Sequence, residues 1–144
     1  MHEKQPKAYL SKDFVSKVDK RMLLIVSYML LNCNIAKKVG FTIDALVRGI
    51  GYVPNRNKGK INEAVRGVLL ELARKEVVAF DIAVAGIKNN EFVYAYVNRK
   101  QNAFSLDKEK TNNVFVQLLE EEFSTIIKSD VGVDKGTLLA IYLN

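Results

Sequence analysis

Asn55-Arg56-Asn57-Lys58-Gly59-Lys60-Ile61-Asn62-Glu63-Ala64-Val65-Arg66-Gly67-Val68-Leu69-Leu70-Glu71-Leu72-Ala73-Arg74-Lys75-Glu76-Val77-Val78-Ala79-Phe80 changes its period partway along. Ile61, Val65, Val68 and Leu72 recur at steps of four, three and four, with Leu69 widening the stripe. That spacing predicts a helix beginning near Asn57 and ending at Arg74, its opposite face carrying Asn62, Glu63, Arg66, Glu71 and Arg74. Gly67 inside it costs about 1 kcal/mol relative to Ala, so it either permits close packing or is simply tolerated. Beyond Glu76 the residues turn β-branched: Val77 to Val84 reads as a strand, Gly86 to Asn90 as a turn, and Glu91 to Asn98 as a second strand. In that second strand Phe92, Tyr94 and Tyr96 share one face, and Val93, Ala95 and Val97 the other. The pair predicts a β-hairpin.

Upstream, Met22, Ile25, Val26, Met29 and Leu30 form a helical stripe on a segment that is apolar almost all round. Asp19 is its expected N-cap, since a carboxylate there accepts from orphan backbone N–H groups, and Asn32 and Asn34 read as its end. Lys37 to Gly40 reads as a connector. Thr42 then offers a cap to a short helix with Ile43, Leu46, Val47 and Ile50, ended by Gly49-Ile50-Gly51. Tyr52 to Lys60 is a polar, basic turn.

Residues 1–7 read as a flexible tail and residues 99–113 as a linker. After the linker, Val114 to Leu118 is extended, Glu120-Glu121-Glu122 opens a short helix through Ile127, and Asp134 caps a last helix. Asp134-Lys135-Gly136-Thr137-Leu138-Leu139 resembles Asp19-Lys20-Arg21-Met22-Leu23-Leu24, and each follows a Phe-containing amphipathic piece, around Phe123 and Phe14. Residues 113–144 then begin a second copy of the first unit, and the chain is a fragment of a longer one. Alternatively, the likeness is that of any two capped apolar helices.

The chain has 144 residues, ordinary for one domain. With 49% hydrophobic and 26% charged residues it is neither disordered nor low in complexity. The apolar run Met22 to Tyr28 is far short of the roughly 18 residues of a membrane span. The polar N-terminus does not read as a signal peptide, so a cytoplasmic location is expected. The net charge of +6 is uneven: residues 1–75 hold 15 Lys+Arg against 6 Asp+Glu (+9), and residues 76–144 hold 7 against 10 (−3). A basic half joined to a mildly acidic one suits a chain facing an anion, nucleic acid first.

Helix, helix, basic turn, longer helix, hairpin: over residues 8–98 this order predicts an α+β fold, a winged helix-turn-helix with a two-stranded wing, with residues 114–144 as a helical extension. Helix-turn-helix proteins lay the second helix of the pair in the major groove of DNA. The candidate contacts are Asn55, Arg56, Asn57, Lys58, Lys60, Asn62 and Arg66 at the leading end of that helix, Lys88 at the wing tip and Arg99 at its base. Lys and Arg neutralise phosphate, Arg can read guanine and Asn adenine. A basic turn before a helix is more often solvated surface than a DNA contact; what favours contact is that the densest basic cluster falls where this architecture presents its reading element.

Met22-Leu23-Leu24-Ile25-Val26-Ser27-Tyr28-Met29-Leu30, the Thr42 helix and Asn62 through Val78 resemble the N-terminal winged-helix region of plasmid and phage replication initiators of Gram-positive bacteria. The later Phe115-Val116-Gln117-Leu118 and the Asp134 helix are similar to the continuation of such proteins, where two winged-helix units stand in tandem. The resemblance implies binding of repeated origin DNA, as a dimer, alongside other replication proteins and without chemistry of its own. The neighbouring reading is a transcriptional regulator on the same fold. A reading of another class is a protein-assembly module, motivated by the Phe- and Tyr-rich hairpin.

No catalytic or cofactor motif is present. His2, the only His, lies in the tail. Cys33 has no His partner and reads as a small hydrophobe, and a single Cys forms no internal disulfide. Gly49-Ile50-Gly51 continues into neither a dinucleotide fingerprint nor a phosphate loop. Asp130 to Gly136 lacks the alternation of a calcium loop. No enzyme activity, metal or cofactor is expected.

Overall fold

The computed structural model describes residues 7–34, 36–55, 57, 60–97, 115–129 and 134–143, with the side chains of Asp13 and Phe115 left aside. Among them the elements run β1 (Lys7–Ser11), α1 (Lys12–Lys17), α2 (Lys20–Asn32), β2 (Lys38–Phe41), α3 (Ile43–Gly49), α4 (Ile61–Arg74), β3 (Val78–Phe80), a 3₁₀ turn (Val84–Gly86), β4 (Val93–Val97), β5 (Phe115–Leu119), α5 (Glu120–Ile127) and α6 (Lys135–Leu143). The fold is mixed α+β, six α-helices with two small antiparallel sheets. None of the described helices is long and apolar enough to cross a membrane.

The chain divides into two units, one of Met1–Asn32 with Arg99–Asn144 and one of Cys33–Asn98. This grouping differs from the expected one, which joined residues 8–32 to residues 33–98 and set residues 114–144 apart. The reason is long-range pairing: β1 lies antiparallel to β5, and α2 packs on α6. Local periodicity shows neither contact.

In the first unit each half runs strand, helix, helix. The two five-residue strands pair with Tyr9 opposite Gln117 at their centre, so the register is symmetric about that pair. Each strand feeds its helix without a break, at Ser11-Lys12 and Leu119-Glu120. Asp19 Oδ1 accepts from the backbone of Arg21 at 2.9 Å, and Asp134 Oδ2 from that of Thr137 at 3.1 Å, as the sequence suggests. The likeness read in the sequence therefore extends to element order, strand length and helix caps. Alanine in place of Gly136 would bring a Cβ to 2.4 Å from the Lys20 carbonyl oxygen, so only glycine lets the heads of α6 and α2 approach this closely.

The second unit folds around a three-stranded sheet in the order β2-β4-β3. Lys38 to Phe41 is therefore a strand and not a connector. Four residues including a glycine carry little strand signal, and the pairing with β4 (Lys38 opposite Tyr96, Phe41 opposite Val93) supplies what local propensity lacks. Val93, Ala95 and Val97 turn inward as their alternation predicts. The hairpin forms, with a shorter first strand than expected. Its ladder ends where the Asp81 carboxylate accepts from the Tyr94 backbone N–H at 2.8 Å, taking a position a backbone carbonyl would fill. Thr42 caps α3, its hydroxyl accepting from Ala45 N at 3.0 Å. On α4 the buried stripe is Asn62, Val65, Leu69 and Leu72, one position round from the stripe expected through Ile61 and Val68.

Gly67 and Gly136 should respond oppositely to alanine. At Gly67 a Cβ meets nothing within 4 Å, so Gly67→Ala should raise stability by about 0.5–1 kcal/mol in chemical denaturation. At Gly136 the obstacle is backbone, and Gly136→Ala should lower it by about 1–3 kcal/mol.

Burial pushes the Tyr28 hydroxyl above its usual range, and the Glu120 carboxylate adds to the shift. The folded chain then holds this proton more tightly than the unfolded one. The contribution is whole below the unfolded value of about 10 and is lost as pH climbs through the raised folded value. Tyr28→Phe should flatten the alkaline limb of a stability-versus-pH curve measured by circular dichroism.

Candidate nucleic-acid interface

The leading end of α4 is held by a chain of polar contacts that starts inside the protein. Asn62 is 0% exposed. Its Nδ2 donates to Asp44 Oδ1 at 2.8 Å, and its Oδ1 accepts from the Asn55 backbone N–H at 2.8 Å. A buried amide must find partners at both ends, and here one partner is on α3 and the other in the turn before α4. The turn continues the chain: Asn55 Oδ1 accepts from Asn57 N at 2.9 Å, and Asn57 O accepts from Lys60 N at 3.1 Å.

The segment between β3 and β4 is tied to the same two helices. Asp44 N donates to Asn89 O at 3.1 Å. Arg66 Nη2 donates to Ile87 O at 3.0 Å and to Asn89 Oδ1 at 2.9 Å, while Nη1 pairs with Glu63. Lys88 sits between the two Arg66 acceptors with its own N–H held by Glu91 Oε1 at 3.1 Å. A guanidinium with its donors arranged as a planar fork suits such a strut.

Of the residues expected at this interface, the structure brings Asn55, Asn57, Lys60 and Lys88 onto two neighbouring loops of one unit, with Asn57, Lys60 and Lys88 exposed and Asn55 half-buried. Asn62 is corrected: it faces the interior and presents no edge to a ligand. Arg66 is corrected in part: its side chain is only 14% exposed and its fork is already occupied by the β3–β4 segment and Glu63. Both residues hold the loops in place. Arg56, Lys58 and Arg99 lie outside the described residues.

The outward face of α4 is mixed in charge. Lys60, Glu63, Gly67, Leu70 and Arg74 are exposed along it. Arg74 and Lys75 both pair with Glu71, whose carboxyl the Arg74 hydrogen bond holds below the usual range. The whole unit, residues 33–98, carries 10 Lys+Arg and 6 Asp+Glu, a balance of +4.

Sequence reasoning missed Asp44 and Asn89. An acid in the first turn of a helix and an asparagine in a turn both have ordinary local explanations. The one available signal was phase: Asn62 stands three residues before Val65 and seven before Leu69, on the stripe that is buried. No protein-family model, no curated protein and no solved structure matches this chain.

Removing the Asn62 amide strands a buried acceptor on Asp44 and the Asn55 N–H, each worth about 1–3 kcal/mol when left unmet. Asn62→Ala should lower the unfolding midpoint and raise hydrogen exchange at Asn55 and Asn57. Asn62→Asp should do no better, because it sets a second carboxylate against Asp44.

Proposed function

We propose that this chain binds double-stranded DNA as a winged helix-turn-helix protein, with the turn before α4 and the segment between β3 and β4 as its contacts. The observation that carries the reading is connectivity. Within the second unit the order β2-α3-α4-β3-β4, with strands arranged β2-β4-β3, supports this reading, in which α4 is the reading helix and the β3–β4 segment the wing.

The polar cluster supports it. A DNA-binding surface gains affinity when its contacts are ordered before binding, because less freedom is lost on association. Asp44, Asn62 and Arg66 tie Asn55 and residues 87–89 to one pair of helices, beside Lys60, Lys88 and Asn57. Asn57 suits adenine and the lysines suit phosphate. The narrower reading, origin recognition in plasmid or phage replication, rests on the sequence resemblance.

Duplex binding measured by fluorescence anisotropy across a salt series tests this. Affinity should fall with salt by about 0.9 log unit per log unit of salt for each phosphate contact. Lys60→Glu and Lys88→Glu should each weaken binding and flatten that slope, and adding Arg56→Glu and Lys58→Glu should abolish it. Absence of duplex binding at low salt would sink the proposal.

A further inference from the structure

Val53 is 84% exposed, the highest value of any large hydrophobic residue among those described. It stands in the turn before α4, the same turn that presents Asn57 and Lys60. Its neighbours are not exposed in this way: Gly51, Tyr52, Pro54 and Asn55 are each half-buried. One apolar side chain therefore projects from a turn that is otherwise packed down. A lone exposed valine is ordinary on a protein surface; the setting of this one is not.

The backbone on both sides of it is tied to a helix. Gly51 has a φ of 93°, a conformation that an L side chain rarely adopts, and it turns the chain away from the end of α3. The Tyr52 N–H then donates to the Val47 carbonyl of α3 at 3.1 Å. On the other side the Asn55 N–H donates to Asn62 Oδ1 of α4 at 2.8 Å. Only Val53 and Pro54 lie between these two anchors. The proline ring fixes its own φ and biases Val53 toward extended backbone. The valine side chain has one stiff torsion, so little freedom is lost when something apolar settles on it.

The partner of this side chain follows from chemistry, on the duplex reading given above. With α4 as the reading helix, the turn at its head meets the major groove. Base edges there carry hydrogen-bonding groups and one apolar group, the C5-methyl of thymine. A valine neither donates nor accepts, so that methyl is the base feature it can recognise. We infer that Val53 covers a thymine C5-methyl group and is a specificity-determining residue for A·T pairs. Asn57, which suits adenine, is four residues further on and so at most about 14 Å away. That distance is about four base-pair steps, which places both contacts on one short stretch of groove.

Fluorescence anisotropy of the full chain with two alternating duplexes of equal length, dA-dT and dA-dU, tests this. The second lacks only the C5-methyl groups. The dA-dT duplex should bind more tightly, by about fourfold for each methyl covered. Val53→Ser should erase the preference, binding dA-dT as weakly as dA-dU, with an unchanged circular dichroism spectrum. Lys60→Glu acts on phosphate, so it should weaken binding to both duplexes and leave their ratio as it was. Equal affinity of the unaltered chain for the two duplexes overturns the inference and leaves duplex binding standing. A preference that survives Val53→Ser also overturns it, since another group then reads the methyl. Failure to bind either duplex at low salt is the failure of the duplex reading itself, and the inference falls with it.

Discussion

The side-chain amide of Asn62 is the point on which the second unit turns. Fully buried, it requires an acceptor for its nitrogen and a donor for its oxygen, and among the described residues Asp44 and the Asn55 backbone supply them. That pair of bonds fixes α4 against α3 and the turn against α4. Through Asp44, whose backbone N–H reaches Asn89, it also fixes the segment between β3 and β4. Breaking one bond of such a cluster leaves a buried polar group unmet, which costs more than the bond adds in net stability.

Much of this was legible in residue patterns. Asp19, Thr42 and Asp134 announce their helices because a cap is a local contact between neighbours in sequence. The alternation of β4 is equally local. What was not legible depends on partners far away along the chain. β2 exists because β4 lies beside it, and Lys38 to Phe41 has no pattern strong enough to stand alone. Arg66 and Asn62 were misjudged for the same reason. An arginine and an asparagine at the head of a basic helix suit a ligand, and nothing nearby in sequence reveals that Ile87, Asn89 and Asp44 have already taken them. Asn62 alone left a trace, through its phase with Val65 and Leu69.

The first unit shows a different economy. Two strand–helix–helix segments meet about a centred strand pair, and the heads of α2 and α6 approach as closely as a glycine permits. Close crossings of this sort leave no room for adjustment, which is why a single methyl group is expected to matter at Gly136 and not at Gly67.

The Val97 N–H donates to the Lys37 carbonyl at 2.9 Å. This one bond brings the entrance and the exit of the second unit side by side, although they are sixty residues apart in sequence. In chain order the second unit is thus an insertion within the first, clasped at its base. Once the insertion has folded, the chain between Lys37 and Val97 no longer counts toward the loop that closes β1 onto β5, and the entropy of that closure falls slightly.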